Sequence, residues 1–474
     1  MAALGPPGEL SRLRTLRLRL KDRAGVNTIS GRRGVLHLGV WFFCVILALT
    51  TIAQGATSRP PNIIFFLADD LGWTELNCYS NHFNETPNFD RLASQGIRFT
   101  QAYAAAPVCS PTRAALMTGQ YPARLHLTDY LHPTDERFLS PDYITSNEQL
   151  KKAGYISGLI GKWHLNGDYG RQRGTPKQHG FDEVVCSEQK DIGSGSYWHP
   201  YKFMTNVQAR LPHEYLTDRL NLEAVEFIQR HKDHPFFLYL AHYAPHTRLV
   251  AKPDKLQKYQ SKAGAGKNSN NPELAAMLES LDDGMGQILA ELDHLRLTEN
   301  TVVIFMSDNG GERNVTDNFP LRAGKSFLYE GGLRVPCIVS WPGHIKPNQV
   351  CNEPVIAHDF YPTLMDLAGV KPDPSQVCDG VSLLPLFRGK KHLSRDALYW
   401  HYPMNQPHFL GGRSASAMRR GHWKLIEFLD TGTVELYDLS NDLSESQDLS
   451  AELPKRAKKL RQQLDGWKRA IKAE

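Results

Sequence analysis

Short apolar runs alternate with longer amphipathic segments through most of this chain. Four runs are six or seven residues long and mainly apolar: Asn62–Ala68, Tyr155–Ile160, Pro235–Ala241 and Thr301–Ser307. Runs of this length are typical of strands buried on both faces of a sheet. Start and stop signals between them mark three helices: Pro87–Gln95, His213–Lys232 and Pro272–Leu295. This alternation predicts an α/β fold with a large central, mostly parallel sheet flanked by helices.

The pattern changes towards the C-terminus. We expect the sheet to continue at Cys337–Ser340, before a helix at His358–Leu367. Alternating apolar and polar positions at Met418–Phe428 and Thr433–Leu439 then predict antiparallel strands. Apolar residues at helical spacing predict a last helix over Pro454–Lys472. At 474 residues the chain is too long for one ordinary core. We expect three parts: a leader over 1–56, a main domain over 57–395 and a smaller antiparallel sheet with a helix over 396–474.

Positive charge is concentrated at the N-terminus. Residues 1–33 hold eight Lys and Arg but only two acidic residues, so the net charge of +5 leaves about −1 for the rest of the chain. No basic face is indicated there, which argues against nucleic acid as a partner. An uncharged stretch over residues 35–53 and then small residues at Gly55 and Ala56 follow the basic segment.

This leader predicts an export signal cleaved near Gly55 or Ala56. The protein would then be secreted, periplasmic or in a lysosome-like compartment. Retention as a signal anchor is the alternative, because the stretch reaches the length of about 18 residues that a membrane-spanning helix needs. Contact with a membrane is expected only in that alternative.

The seven cysteines give little information about the compartment. Without Cys44 in the leader and Cys109, which is discussed below, five remain, so at least one is expected to be unpaired. A disulfide between Cys351 and Cys378 stays an open alternative. The chain has no C-x-x-C pair, which argues against a thiolate zinc site.

Acidic residues directly follow two of the predicted strands. Asp69 and Asp70 come after the first strand, and Asp308 and Asn309 come after Thr301–Ser307. Functional groups collect at the carboxyl ends of parallel strands. Four oxygen donors with at most three negative charges suit a hard divalent cation, and calcium fits better than magnesium because the set is dense in protein oxygens. Each pair alone would be an ordinary strand-end turn, but both together indicate a metal site.

The segment Val108–Arg124 reads as a short helix suited to an anion. Ser110 can cap this helix, Pro111 suits its first turn, and Gly119 can end it. Cys109 would then lie at the positive end of the helix dipole, where an oxyanion is stabilised. A buried structural cysteine is the alternative explanation for this short motif.

The whole segment resembles the signature of the type I sulfatases, members of the alkaline phosphatase superfamily. The C-x-P-x-R positions are Cys109, Pro111 and Arg113, and the family residues Leu116-Met117-Thr118-Gly119 follow. The resemblance implies an alkaline phosphatase-like fold. It also implies that a formylglycine-generating enzyme oxidises Cys109 to formylglycine (3-oxoalanine), whose hydrate carries two hydroxyls on one carbon. One hydroxyl attacks sulfur and the other expels sulfate from the covalent intermediate.

The resemblance also assigns the metal site. Calcium would be bound by Asp69, Asp70, Asp308, Asn309 and the modified Cys109. The segment Gly154–His164 matches the family's second signature. That match places Lys162 on the sulfate and His164 beside the formylglycine as a general base or hydrogen-bond partner, and imidazole titrates near neutrality while the lysine stays charged.

Two more stretches match the family. His246 follows the third strand and corresponds to a histidine that contacts sulfate and can protonate the leaving oxygen. We call Leu321–Pro336 the lysine loop, because its Lys325 corresponds to the sulfate-binding lysine. This loop departs from the family pattern at Ala323 and Ser326, where glycines are frequent.

Together these matches imply a calcium-dependent sulfuric ester hydrolase that releases inorganic sulfate. Calcium, Arg113, Lys162 and Lys325 would surround the sulfate oxygens, and preorganised charge of this kind is a large catalytic term. A phosphonate or phosphate ester hydrolase of the same superfamily is the nearest alternative, although Asn309 stands where several such relatives have histidine. A catalytically inactive sulfate-binding module is a further alternative, but it would leave the nucleophile and the metal donors unexplained.

The substrate is expected to be recognised by loops over the site. The candidates are Arg124–His132, Gly193–Lys202 and the residues from His401 to His408. Tyr197, Trp198 and His199 would suit stacking on a sugar ring, although they would equally suit simple packing. A sulfated carbohydrate is therefore favoured over a small aryl or lipid sulfate.

Overall fold

A nine-stranded sheet forms the centre of the described structure. The computed structural model describes residues 59–167, 173–187, 197–201, 204, 207–267 and 270–473. The strands are β1 (Asn62–Ala68), β2 (Gly96–Tyr103), β3 (Ile156–Gly161), β4 (Glu183–Val185), β5 (Phe236–Ala241), β6 (Thr301–Ser307), β7 (Arg334–Ser340), β8 (Gln349–Cys351) and β9 (Val355–Ile356). Their order is β4-β3-β5-β1-β6-β7-β2-β8, with β9 paired to β2.

Most neighbouring strands in this sheet are parallel. The exception is β7, which runs antiparallel to both β6 and β2. The strand β1 lies between β5 and β6 and is parallel to both of them. The predicted mostly parallel central sheet is therefore confirmed.

Both faces of the sheet are covered, as the apolar runs predict. All seven residues of β1 are buried. Ile63, Phe65 and Leu67 join one apolar cluster, whereas the alternate residues Ile64 and Phe66 join another. Successive side chains of a strand point to opposite faces, so the two clusters are the cores on either side of the sheet.

Helices supply the layers on these faces. They are α1 (Pro87–Ser94), α2 (Cys109–Thr118), α3 (Ser146–Lys151), α4 (Leu216–His231), α5 (Pro253–Gln260), α6 (Pro272–His294), α7 (Glu330–Leu333), α8 (Phe360–Ala368), α9 (Leu384–Phe387) and α10 (Pro454–Ile471). Short 3-10 turns lie at Asn77–Tyr79, Thr298–Asn300 and Ala357–Asp359. The three helices predicted between the strands are present as α1, α4 and α6, and no end differs from its prediction by more than three residues.

A second, antiparallel sheet lies towards the C-terminus. Its strands, in spatial order, are β10 (Leu398–Tyr402), β11 (Ala415–Arg420), β12 (Trp423–Phe428) and β13 (Val434–Asp438). The stretch predicted as one segment, Met418–Phe428, is divided by a tight turn at Gly421, whose φ is +61°. Leu460 and Leu464 of α10 pack on Leu425 and Leu436 of the sheet. The expected small antiparallel sheet with a helix is confirmed.

Two expectations about the leader and the cysteines can be compared with the described residues. Six cysteines are described and all are free, so Cys351 and Cys378 do not form the disulfide left open above. Among the described residues, every helix is too short or too polar to cross a bilayer. The predicted leader and its apolar stretch lie outside the described residues.

Candidate active site

The predicted site residues converge at the carboxyl ends of four adjacent strands. Lys162 follows β3, Asp69 and Asp70 follow β1, and Asp308 follows β6, while His246 lies five residues beyond β5. Parallel strands end at the same edge of a sheet, so residues distant in sequence meet there. Asn309 and Asp70 are 239 residues apart in sequence, yet the Asn309 Nδ2 donates to the Asp70 Oδ1 over 2.8 Å.

The helix α2 brings Cys109 to this edge as its first residue. Cys109 is buried, and Gly119 ends the helix in the left-handed conformation with φ +73°, as predicted. The predicted cap at Ser110 is wrong, because the extended residue Val108 occupies the N-cap position and no side chain caps the helix. Ser110 instead accepts a 3.0 Å hydrogen bond from the Leu131 backbone N–H, which fixes the neighbouring loop.

Arg113 connects this helix to the acidic residues. Its guanidinium is fully buried and lies 2.7 Å and 2.9 Å, through Nη2 and Nε, from the Asp308 Oδ2. The Nη2 is also 3.5 Å from the Asp69 Oδ1, and Nη1 donates to the Lys162 carbonyl over 2.8 Å. Arg113 therefore holds a permanent positive charge beside Cys109 in a fixed orientation.

Two lysines extend the positive charge on the other side of the acids. The Lys162 Nζ lies 2.7 Å from the Asp69 Oδ2, and the Lys325 Nζ lies 2.7 Å from the Asp70 Oδ2. Burial alone would lower the pKa of both lysines, but Asp69 beside Lys162 and Asp70 beside Lys325 raise it above its usual value. Both side chains therefore stay charged at neutral pH.

Burial and mutual repulsion of the acids favour the binding of a further positive charge in this cluster. Burial and the nearby Asp69 carboxylate raise the pKa of Asp308 to about 7. Burial would do the same for Asp70, but Lys325, His246 and Lys162 hold its pKa well below its usual value. Three carboxylates in one buried cluster are stabilised when a divalent cation binds among them.

Oxygen atoms without partners indicate where such a cation would bind. Among the described residues, the Asp69 Oδ1 and the Asn309 Oδ1 are buried and have no hydrogen-bond partner. One potential ligand atom from each of Asp69, Cys109 and Asp308 lies within 4.8 Å of the others. Carboxylate and amide oxygens suit a hard cation. The residues of this cluster therefore fit calcium.

His164 lies directly against Cys109. Its Nδ1 is 3.2 Å from the Cys109 Sγ, and its Nε2 is 2.8 Å from the Leu131 carbonyl oxygen. Only a protonated Nε2 can donate to that carbonyl, so the Nδ1 faces Cys109 as an acceptor. Burial and the Lys162 charge hold the pKa of His164 well below its usual value, so the imidazole is neutral.

The environment of Cys109 does not favour a thiolate. Burial raises the pKa of its thiol to about 11, although Lys162 and Lys325 act in the opposite direction. Thiolates, rather than thiols, are the nucleophilic form of cysteine. The unmodified side chain is therefore a poor nucleophile at neutral pH.

His246 completes the cluster at the lysine loop. Its Nε2 lies 3.2 Å from the Lys325 Nζ and 3.6 Å from the Asp70 Oδ2, and its Nδ1 lies 2.5 Å from the Thr247 carbonyl. Burial and Lys325 lower the pKa of His246 to about 4. The neutral ring thus donates through Nδ1 to Thr247 and accepts from Lys325 through Nε2.

The aromatic residues expected to stack on a sugar have a different arrangement. Tyr197 is buried, and its hydroxyl lies 2.8 Å and 3.0 Å from the carbonyls of Tyr243 and His246. It therefore positions the His246 loop and cannot stack on a ligand. Trp198 packs on Tyr215, with ring centroids 5.0 Å apart.

Burial and the charge of nearby Lys325 lower the pKa of His408, which places a different aromatic group at the rim of the site. The Tyr130 ring lies 4.5 Å from the His132 ring and 5.5 Å from the His408 ring, measured between centroids. Phe409 stacks on His408 at 4.3 Å and is 78% exposed. The His408 Nε2 has no hydrogen-bond partner among the described residues. Three of these residues lie in or at the end of two predicted recognition loops, but no sequence signal distinguished them from their neighbours.

Comparison with protein-family models gives two matches. The sulfatase model matches residues 61–370, and the model for the C-terminal part of N-sulphoglucosamine sulphohydrolase matches residues 323–470. The first match contains every predicted site residue, and the second contains the antiparallel sheet and all but the last residue of α10.

Named relatives agree with these matches. A sulfatase of Formosa agariphila is 32% identical over 89% of this chain and 91% of its own length. The human N-acetylgalactosamine-6-sulfatase is 34% identical over 73% of this chain and 69% of its own length. The mouse steryl-sulfatase is 32% identical over 76% of this chain and 70% of its own length.

Solved structures with the same fold contain bound sugars. The crystal structure of Ps i-CgsB in complex with k-i-k-neocarrahexaose has a TM-score of 0.76 and 32% identity, and the match covers 86% of this chain and 93% of that one. The structure of BT4656 in complex with its substrate D-glucosamine-2-N,6-O-disulfate has a TM-score of 0.71 at 23% identity, covering 87% of this chain and 98% of that one.

Proposed function

This chain belongs to the sulfatase family, and we propose that it hydrolyses sulfate esters of carbohydrates with a formylglycine derived from Cys109 and a bound calcium ion. One observation carries the proposal. Three buried cationic side chains, three carboxylates and two oxygen atoms without a hydrogen-bond partner among the described residues surround the position of Cys109 at one edge of the sheet. With the family settled, neither the phosphate ester hydrolase nor the inactive binding module is retained as a proposal.

Oxidation of Cys109 to formylglycine would supply a better nucleophile and a way to release sulfate. A buried, protonated thiol is a poor nucleophile, and a cysteine or serine that formed a sulfate ester could not release it by elimination. Formylglycine would supply two hydroxyls on one carbon, one to attack sulfur and one to expel sulfate. The Nδ1 of His164 accepts a hydrogen bond at this position, so His164 can remove a proton from a hydroxyl there.

Calcium would be held by Asp69, Asp70, Asp308 and Asn309, together with the modified Cys109. When bound, it would neutralise negative charge on the sulfate oxygens and the nucleophile. Arg113, Lys162 and Lys325 would bind the remaining sulfate oxygens from fixed positions, and preorganised charge of this kind is a large catalytic contribution.

The leaving alcohol needs a proton, and Lys325 with His246 can supply it. The Lys325 Nζ donates to the neutral His246 Nε2 over 3.2 Å, so the two side chains act as one hydrogen-bonded unit. Lys325 can transfer its proton to an oxygen that enters this position, and His246 can do so only after its Nε2 has accepted that proton from Lys325. Loss of one partner should therefore slow substrates with poor leaving groups more than activated aryl sulfates.

Carbohydrate is favoured as the substrate on two grounds. Relatives include N-acetylgalactosamine-6-sulfatases, and the fold is shared with a protein solved with neocarrahexaose. In this chain the exposed Phe409 ring beside His408 can stack on a sugar face. Export through the predicted leader remains part of the proposal, since sulfated polysaccharides are extracellular polymers.

The proposal is tested by mass spectrometry and sulfate release together. We expect the tryptic peptide of residue 109, from protein produced with a formylglycine-generating enzyme, to carry an aldehyde in place of the thiol. The same protein should release sulfate from a chromogenic aryl sulfate and lose this activity in a chelator, with recovery on addition of calcium. Cys109→Ala is the control and should fold but not turn over. An unmodified Cys109 in an active enzyme would overturn the mechanism.

A further inference from the structure

A cavity lies beside the active site and contains a cluster of arginines on aromatic rings. Its volume is about 300 Å³, within the range of small-molecule sites. The lysine loop, the segment after Asn309 and the antiparallel sheet form its walls. We call it the arginine cavity and define it by six residues: Arg313, Arg322, Arg413, Phe327, Tyr329 and Phe428.

Each arginine in this cavity lies over an aromatic ring. The guanidinium carbon of Arg322 is 3.9 Å from the Tyr329 ring centroid, that of Arg413 is 4.2 Å from Phe428, and that of Arg313 is 5.5 Å from Phe327. Stacking covers the face of a guanidinium but leaves its N–H edges able to bind an anion. The cavity is therefore apolar at its walls and carries cationic hydrogen-bond donors.

The charges in the cavity are only partly compensated. Arg413 forms a two-fold ion pair with Asp430, at 2.8 Å and 3.0 Å, and Arg322 donates to the Tyr437 hydroxyl and the Glu445 carbonyl. For Arg313, no ion pair is recorded within the part of the chain that the structure describes. The guanidinium of this exposed arginine lies over the Phe327 ring, and its N–H edges are available to an anionic ligand.

The cavity and the active site share two segments of chain. In the lysine loop, Lys325 points to Asp70 in the active site, while Phe327, two residues later, lines the cavity. In the loop before β11, His408 belongs to the rim of the active site, whereas Arg413 lines the cavity. Gly412 lies against the Ser326 backbone and joins the two segments, since a Cβ there would be 1.9 Å from the Ser326 carbonyl.

We propose that the arginine cavity binds a second anionic sugar residue of the polymer whose sulfate ester is hydrolysed. A sulfated polysaccharide carries an anion on many of its rings, and each needs its own positive partner when the chain binds. A sulfate or carboxylate matches the N–H edges of Arg313 and Arg413, and the sugar face matches the aromatic walls. The enzyme would then prefer oligosaccharides to single sulfated sugars.

This inference rests on the proposed function, and the test separates the two. The probe is a sulfated hexasaccharide, chosen from carrageenan and glycosaminoglycan panels as the one the parent protein binds most tightly. Arg313→Gln should raise the ratio of the KM for this hexasaccharide to the KM for a monosaccharide sulfate about tenfold. The reason is that one charge-assisted contact to the hexasaccharide is lost. Arg388→Gln, at another exposed arginine without a recorded ion pair, is the matched control and should leave this ratio unchanged.

Calorimetric titration in the Cys109→Ala background measures the same contact without turnover. We expect Arg313→Gln to weaken hexasaccharide binding about tenfold there as well. If the parent enzyme releases no sulfate but Arg313→Gln still weakens binding, the proposed chemistry fails and the cavity assignment stands. If the enzyme is active and Arg313→Gln affects both substrates equally, or neither, the cavity assignment is overturned. The absence of binding by every hexasaccharide also overturns it.

Discussion

Two buried charge clusters in this molecule contain the same kinds of residue. They differ in how completely their charges and hydrogen-bonding atoms are paired. The active-site cluster pairs Lys325 with Asp70, alongside the other acids and cations described above. The second, which we call the junction cluster, lies where the two sheets meet. There Lys424 contacts Glu330 at 2.9 Å and Glu445 at 2.8 Å.

The junction cluster is closed except at the Glu445 Oε1, which has no hydrogen-bond partner among the described residues but lies 2.8 Å from the Lys424 Nζ. Lys424, Glu330 and Glu445 are fully buried, and the Tyr103 hydroxyl donates to Glu330 over 2.7 Å. The backbone N–H of Glu330 donates to Glu445 over 2.6 Å. In the active-site cluster, by contrast, Asp69 and Asn309 each retain an unpartnered oxygen beside a reactive side chain. Buried charge alone therefore does not identify a functional site, whereas unsatisfied donors and acceptors that converge on one point do.

Replacing a lysine by methionine in each cluster should distinguish the two clusters most clearly. Lys424→Met removes the cation recorded for the buried Glu445 and leaves Glu330 with Arg334 at 3.5 Å. Breaking a buried ion pair in this way costs about 3–5 kcal/mol of folding free energy. We expect a large fall in the denaturant midpoint, while the folded fraction keeps its kcat. A variant with parent stability would show that the junction cluster does not hold the two sheets together.

Lys325→Met is the counterpart in the active-site cluster. We expect kcat/KM to fall about 100- to 1,000-fold, because one preorganised charge on the sulfate is lost. With calcium bound, Asp70 keeps a positive partner, so the denaturant midpoint should change much less than in Lys424→Met. Steady-state kinetics and unfolding of both variants in the same buffer provide the check, and equal loss of stability in the two would contradict the distinction.

Glu75 extends the comparison of the two clusters to a buried acid for which no ion pair is recorded in the described part of the chain. Its side chain bonds to Thr316 and to the Asn84 Nδ2, and burial raises its pKa from 4.5 to about 7. The folded state thus binds this proton more tightly than the unfolded state. Stability from this group is gained as the pH falls from 7 towards 4.5 and is lost as the pH rises, by up to about 3 kcal/mol.

Glu75→Gln should remove this dependence. We expect the variant to be more stable than the parent at pH 8 and its melting temperature to vary less between pH 5 and pH 8. Thermal unfolding across that range measures the difference. If the plots of melting temperature against pH for parent and variant were parallel, Glu75 would not titrate in the folded protein.

The smallest effect is expected where an equally short ion pair is exposed. Arg91 lies 2.6 Å from Asp293, but the side chains are 40% and 47% exposed. Exposed pairs of this kind contribute about 0–1 kcal/mol. Arg91→Gln should therefore leave the denaturant midpoint within error of the parent. A fall in the midpoint comparable to that of Lys424→Met would show that burial does not determine how much an ion pair stabilises this fold.

The central strands were predictable because their signals are local. β1 and β6 have the predicted bounds, since a mainly apolar run is followed directly by an acidic residue in each case. The same local signal located Asp69 and Asp308 at the strand ends. The turn at Gly421 was missed because apolar and polar residues alternate on both sides of it.

Side-chain partners were much less predictable. Ser110 has the chemistry of a cap, but the extended backbone of Val108 places it inside the helix, where it bonds to Leu131 instead. Tyr197 could equally have been an exposed recognition residue, because burial of a loop aromatic depends on residues elsewhere in the chain. The contact of His408 with Tyr130 joins two irregular loops, for which neither periodicity nor spacing gives a signal.

The position of β1 in the sheet has a consequence for synthesis of the protein on the ribosome. β1 is made first, but one of its partners, β6, pairs Thr301 with Asn62, 239 residues away in sequence. Until that partner emerges, the apolar segment Asn62–Ala68 has an open edge and the composition of an aggregation-prone strand. We expect the nascent chain to need a chaperone during this interval. The same interval leaves Cys109 accessible to a modifying enzyme, and the access ends when the sheet closes.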